Sequence, residues 1–457
     1  MFFTAVPRIS FERRVVAGRP SIAIILLALV VVAGGALMQD WRGFAPLRDK
    51  LQKRDFVVGA EDFTKLHSLL AGQDALAMRI PRPLPSTTIA APLIGDGLPT
   101  ISIVSEEEGL HSQETGILEN PLEKGRRWER EASVSYFENG ALRYETPAGL
   151  RVHGGTSRKS RTKSFNIVFR RTYSGAPRAE PGVFFGGESR AVQRVVLSNT
   201  AHVKRFLNPL ALELATAIGC VTSRSQPVRV LLNGKVADAG YIMLEHQSRE
   251  FLRHRFGHDD FEWVRLKGKF KPSLSLDLLS AWIKSKPENI TMEQVGKRFD
   301  LNNLCAWMFA MTFCDTRDED QGGYFKDQTN PDDVWHSLTW DMDGSFRHGK
   351  PVFEQEIDFD RVRGMRSRLF RRVCETDPDF RKHYEEFARN RLATVASPEA
   401  IRQLVEKYRG IAHSEIFNTH RPEILEALDE TERFLLARRD IYLKGLKKFY
   451  AEAKKRE

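Results

Sequence analysis

The residues of this chain best suited to chemistry lie in one stretch, Cys314-Asp-Thr-Arg-Asp-Glu-Asp-Gln-Gly-Gly-Tyr-Phe-Lys326, followed by Trp335-His-Ser-Leu-Thr-Trp-Asp-Met-Asp-Gly344. Asp315, Asp318, Glu319 and Asp320 fall in a predicted loop, a short hairpin follows around Asn330-Pro331, and Asp341 and Asp343 close it. Phosphoryl transfer uses carboxylates in this order: one orients a hydroxyl, and another, beyond a hairpin, holds a metal. Two aspartates two residues apart at a strand end aim their oxygens at one point, and magnesium takes one or two carboxylates plus phosphate oxygens. A solvated acidic loop, or an oxygen cluster of the calcium kind, is the competing reading.

A candidate anion site lies upstream. Leu150-Arg-Val-His-Gly-Gly-Thr-Ser157 runs into Arg158-Lys-Ser-Arg-Thr-Lys163, and Ser164 to Phe169 alternates as a strand. Two strands thus embrace Gly154, Gly155, small hydroxyls including Ser157, and four basic residues. Glycines let backbone N–H groups approach an anion and cations neutralise it, which suits a triphosphate. Most double-glycine loops are only turns. Glu245 ends a later strand and reads either as a buried partner for Lys163 or as an ordinary exposed glutamate.

The elements that must position these groups follow from pattern. Ile101 to Val104 predicts a strand, and Val134 to Phe137 with Leu142 to Glu145 flank an Asn139-Gly140 hairpin turn. Val228 to Leu232 and Ala239 to Leu244 flank a second one at Asn233-Gly234. Phe206 to Ile218 predicts an amphipathic helix ending near Gly219, and Asp300 an N-cap for an apolar helix through Cys314. After residue 355 the chain is mainly helical, and Ile424 to Lys448 is one long amphipathic helix. Arg361, Arg363, Arg366, Arg368, Arg371 and Arg372 read as a solvated helix face.

The 457 residues allow one large domain or two ordinary ones. The net charge of +10 is concentrated at the ends: residues 1–20 carry +3 and residues 432–457 carry +5. Such a distribution does not point to a nucleic-acid groove. Cys220, Cys305, Cys314 and Cys374 form no CxxC pair and read as buried free thiols, with zinc disfavoured. Ser21 to Met38 is an uncharged apolar run of 18 residues behind an arginine-rich start. It predicts a transmembrane anchor with a cytoplasmic N-terminus and the main domain extracytoplasmic, in competition with a cleaved signal peptide.

Taken in order, Leu98-Pro-Thr-Ile-Ser-Ile103, Trp128-Glu-Arg, Arg151-Val-His-Gly-Gly-Thr-Ser-Arg158, Lys163-Ser-Phe-Asn-Ile, Asn233-Gly, Gly240-Tyr-Ile-Met-Leu-Glu245, the acidic loop and Trp340-Asp-Met-Asp resemble the CotH kinase family from about residue 98 to about 395. The resemblance implies an α+β, atypical protein-kinase-like fold that binds ATP and a divalent metal, Mg2+ or Mn2+, and phosphorylates Ser/Thr of proteins. By position it implies Asp318 as catalytic base, Lys163 on phosphates with Glu245 steadying it, Asp341 as metal ligand with Asp343 in support, and Arg151 lining the same site. The family's Asn after the base, a second metal contact, is Gly323 here. A catalytically weak pseudokinase that binds nucleotide or a partner is therefore the alternative. The expected organisation is a basic tail (1–20), an anchor (21–38), a stalk with a Pro-rich linker (39–98), the kinase-like domain (99–395) and a helical extension packed on it (396–457).

Overall fold

The computed structural model describes residues 97–173, 178–180, 182–185, 191–237, 239–265, 273–285, 290–316, 322–346, 357–359, 362 and 364–454. The strands are β1 (Thr100–Ser105), β2 (Arg130–Glu138), β3 (Ala141–His153), β4 (Ser164–Val168), β5 (Arg194–Asn199), β6 (Val221–Thr222), β7 (Ser225–Leu232), β8 (Lys235–Val236), β9 (Tyr241–Glu245), β10 (Phe261–Arg265), β11 (Gly323–Asp327) and β12 (His336–Thr339). The helices are α1 (Glu107–His111), α2 (Val203–Ile218), α3 (Arg249–Phe256), α4 (Leu274–Lys284), α5 (Met292–Gly296), α6 (Leu301–Cys314), α7 (Met365–Thr376), α8 (Pro378–Ala393), α9 (Pro398–Ala412) and α10 (Arg421–Lys454).

Strands β1-β2-β3-β4-β5-β9-β7 pair in that order, and β7 returns to β1 in parallel, so the sheet closes into a barrel with β8 as an arm on β7. Closure removes the open edges that a sheet of this size would expose. The interior is filled by one side of each strand, including Ile101, Val134, Leu150, Val152, Phe165, Ile167, Val195, Leu197, Val230 and Met243. Both predicted hairpin turns are present. Asn139 and Gly140 have φ of 50° and 75°, and Asn233 and Gly234 have 48° and 78°. That pair of left-handed residues is what a two-residue turn between twisted strands needs. The second hairpin, however, returns only as the short β8, and β9 leaves it to pair with both β5 and β7.

A second sheet, β10-β11-β12-β6, carries the hairpin after the acidic loop. It shares a hydrophobic core with α2, α6 and the C-terminal helices α7 to α10. α6 is buried on every side and is N-capped by Asp300, whose Oδ1 accepts from the Asn303 N–H at 2.9 Å. The four cysteines are buried and free, and burial pushes the Cys220 thiol up to about 12, so it is no nucleophile.

Two expectations are corrected. Arg366 is not on a solvated face: it is 2% exposed, with its guanidinium 4.1 Å from the Trp307 ring and 5.3 Å from the Tyr324 ring. A run of arginines along a helix meets the core once per turn, and the stem and planar head of arginine pack there on aromatic faces. The single-pass cell-membrane assignment is also overturned, because among the described residues no helix is long and apolar enough to cross a membrane. α10 has the length, 34 residues, but charges recur through every turn. The expected span, 21–38, lies outside the described residues, as do the tail and the stalk up to residue 96.

α10 also fixes the end of α6. Arg438, 1% exposed, donates from Nε to the Phe313 carbonyl at 2.8 Å and from Nη2 to the Thr312 carbonyl. A cation at the negative end of a helix, satisfying its last carbonyls, stabilises it. Arg438→Met is expected to lower unfolding free energy by about 2 kcal/mol, the order of cost for leaving buried carbonyls unsatisfied, with chemical denaturation monitored by circular dichroism as the check.

Candidate active site

The Asp341 turn meets the end of α6, where the acidic loop begins at Asp315. Asp315 terminates that helix in a left-handed conformation, φ 50°. The chain returns after β12 through Trp340 to Asp341, φ 54°, and the Phe346 N–H donates to the Cys314 carbonyl at 2.9 Å. The Met342 N–H is held by Asn208 Oδ1 of α2 at 2.7 Å. The turn bearing Asp341 and Asp343 is thus pinned between α2 and the point where the acidic loop leaves α6. His202, at the start of α2, is lowered by burial first and then by the charges of Lys204 and Arg205, and Asp343 lies close enough to oppose them. Asp318 lies outside the described residues.

Alternation on the barrel strands creates the facing surface. Val152, Phe165, Ile167 and Val195 point into the barrel, so Arg151 and His153 of β3, Asn166 of β4 and Arg194 of β5 share the outer side. His246, just past β9, joins them: Arg194 Nη1 donates to His246 Nε2 at 3.2 Å. Arg265, ending β10, stacks its guanidinium 4.9 Å from the centre of the Trp340 ring, next to Asp341. That contact brings the guanidinium face to the Asp341 turn. Glu129 supplies the carboxylate beneath the face. It is fully covered, accepts from Arg170 Nε at 2.7 Å and from the Tyr173 hydroxyl at 2.7 Å, and lies 3.3 Å from Arg151 Nε. Gly149 makes room for it, since a Cβ there would come within 2.6 Å of the Glu129 side chain.

The crowding of cations shows in their titration. Burial first, then Arg151 and Arg170, lower Arg194 to about 10, with Glu129 opposing. Burial first, then Arg158 and Arg265, lower His153 to about 4, against a hydrogen bond to Asn166. His246 is lowered well below the usual histidine range by burial, then by Arg194, His153, Arg265 and Arg151. Both imidazoles are therefore neutral near pH 7.

The sequence-predicted residues divide. Arg151 lies on this face. Lys163 and Glu245 do not meet: the register sets Glu245 opposite Val195, whereas Lys163 lies near the Asn199–Tyr241 end, and the Tyr241 hydroxyl donates to the Lys163 carbonyl at 2.8 Å. Lys163 Nζ instead donates to the Arg158 and Ser160 carbonyls at 3.1 and 2.6 Å. Glu245 pairs with Arg224 at 3.1 Å. The glycine turn is folded on itself as well. Arg158 donates to the Gly154, Pro121 and Glu123 carbonyls. Gly154, φ 113°, has no space for a Cβ against Ser157 Oγ. Sequence reasoning missed Glu129, Arg170, Arg194, His246 and Arg265. The alternation of Arg194-Val-Val-Leu-Ser-Asn199 is the signal that would have put Arg194 on an outer face.

A closed barrel whose cationic flank faces an aspartate turn on a helical layer defines a mixed α+β, kinase-like protein. The chain belongs to the CotH kinase family: the family model described as CotH kinase protein matches residues 150–423, more than half of its length. Among solved structures it is similar to a Helicobacter pylori proinflammatory kinase, CtkA, at 10% identity, over 62% of this chain and 95% of that one, with a TM-score of 0.26, too loose to carry an argument about the site. No curated protein matches.

Removing the buried carboxylate tests whether the face depends on it. Glu129→Gln is expected to destabilise the protein by about 2 kcal/mol, below the full cost of breaking a buried pair because both arginines are partly exposed, as measured by urea denaturation.

Proposed function

We propose that the protein is an ATP-dependent phosphotransferase that moves the γ-phosphate to Ser/Thr hydroxyls of protein substrates. The observation that carries this reading is the hydrogen bond from Phe346 N–H to the Cys314 carbonyl, which sets the Asp341 turn beside the start of the acidic loop. The nucleotide would sit between that turn and the outer face bearing Arg151, with Gly154, Gly155 and Ser157 bordering it. Lys163 takes the part of holding this border through its bonds to Arg158 and Ser160, and Glu245 that of pairing with Arg224. The family domain would span 99–395, with 396–457 packed on it.

Asp341 and Asp343 are the residues that would hold Mg2+ or Mn2+. Two carboxylates on one pinned turn suit a hard cation that completes its shell with phosphate and water oxygens. Among the described residues there is no group of three or more His, Cys, Asp or Glu able to hold a metal by itself. When bound, the cation supplies charge compensation for phosphate oxygens. Asp318 would orient the acceptor hydroxyl and take its proton, the hydroxyl oxygen would bond to the γ-phosphorus as the bond to the bridging oxygen breaks, and ADP would leave.

The check is transfer of label from γ-labelled ATP to a generic protein acceptor by the full chain. Asp341→Asn is expected to reduce kcat on the order of 10²-fold or more. Tight ATP binding without transfer would replace this reading with the pseudokinase one, and transfer of α-label alone would make the enzyme a nucleotidyltransferase.

The pseudokinase reading has one observation in its favour. A Cβ on Gly323 would meet the Trp263 ring at 2.4 Å and the Val264 carbonyl at 2.7 Å, so no Asn fits where the family has its second metal contact. Gly323→Asn is expected to lower stability by more than about 2 kcal/mol and to leave activity no higher. A thermal melt alongside the label assay reads both.

A further inference from the structure

We propose that the barrel's outer face, Arg151, Arg194 and Arg265 with His153 and His246, is a cradle for a polyphosphate chain, and that filling it takes up protons on the two imidazoles. The proposal deepens the phosphotransfer reading and rests on it for the identity of the natural ligand.

The first argument is charge. Arg151, Arg170 and Arg194 converge on a partly buried face, with the exposed Arg265 at its rim, and among the described residues Glu129 is the acid that pairs there, with Arg151 and Arg170. Arg194 donates to a neutral histidine, His246. Guanidinium groups taken out of water without counter-charge raise the free energy of the empty protein, and an anion of several charges relieves it. Planar forks are also the groups that grip phosphate oxygens in pairs.

The second argument is hydrogen-bond direction. Arginine only donates, so at 3.2 Å from Arg194 the Nε2 of His246 accepts, and the imidazole is neutral by geometry. A phosphate oxygen arriving at Arg194 takes that donor over. His246 then gains by protonating and donating to the same anion. The groups around it are Arg194 on β5, Arg151 and His153 on β3, Arg265 on β10, Glu245 on its own strand, and Glu250 and His254 on α3 across a small cavity of about 10 Å³. Glu250 is already paired with Arg178 and Glu245 with Arg224. His153 faces Arg158, Arg265, Arg194 and Asn166.

The sign follows. The imidazoles are held neutral by burial first and then by positive neighbours when the face is empty, and a polyanion offsets the neighbours and raises their pKa values. Binding therefore takes up protons, and affinity rises as pH falls from about 8 to about 6.

The probe is inorganic tripolyphosphate, titrated into the full chain by calorimetry at pH 7 in buffers of different ionisation enthalpy, with adenosine as control. The expected result is 1:1 tripolyphosphate binding with net proton uptake. His246→Gln should reduce the uptake, and the double variant with His153→Gln should abolish it. Arg194→Gln should weaken binding about tenfold or more. Melting curves establish that each variant is folded, and the buffer dependence of the unaltered protein stands even where a variant is not. Saturable binding with no buffer dependence, or no tripolyphosphate binding, overturns the proposal. Uptake without γ-label transfer to protein keeps the cradle and removes the phosphotransfer reading. Label transfer without uptake does the reverse.

Discussion

The arrangement turns on an imbalance of charge. Four guanidinium groups converge on the flank of a closed barrel, and among the described residues one fully covered carboxylate, Glu129, is the acid that pairs with them. Glu129 fixes two of the four, Arg151 and Arg170, and is itself admitted only because residue 149 is glycine. The other two are positioned by weaker means, Arg194 by an imidazole and Arg265 by the face of Trp340. Strands β3, β4 and β5 alternate strictly, so the same residues that fill the barrel oblige this face to look outward. A face held in this way is preorganised for an anion, because its geometry is set by the core rather than by the ligand.

The opposite wall depends on helix ends. α6 is apolar all round and carries its chemistry only where it stops, at Asp315. Arg438 of α10 satisfies the last carbonyls of α6, and the Cys314 carbonyl receives Phe346 from the far side of the Asp341 turn. The C-terminal helix therefore braces the acidic loop's point of departure, 125 residues away in sequence. This is a reason for the helices after residue 395 to share the core of α2 and α6 instead of forming a separate body.

How far the sequence revealed this depends on whether a feature is local. The Asn-Gly turns, the Asp300 cap and the ends of α2 and α6 are set within a few residues, and all were readable. Closure of the barrel is not local: β1 pairs in parallel with β7 some 130 residues on, and no period announces it. Arg366 is the same kind of failure, since its aromatic partners lie on α6 and β11. Partner choice was the least legible. Analogy of role alone matches Glu245 with Lys163, while the register that separates them belongs to β5, for which no strand is predicted.

Lys163 shows why the separation matters. It precedes β4 by one residue and has the parity of Phe165, which faces the barrel interior, not that of Asn166, which lies on the outer side. In a strand a single residue decides the face. The charge that a phosphate needs must then come from strands whose outward positions are basic, and β3 and β5 supply it with Arg151 and Arg194. Arginine suits this place better than lysine. It keeps its charge even where burial and three cationic neighbours lower Arg194 to about 10, whereas an ammonium in the same surroundings would approach neutrality at physiological pH. A cleft built on guanidinium groups thus keeps its full charge at neutral pH and leaves the imidazoles as the groups that titrate.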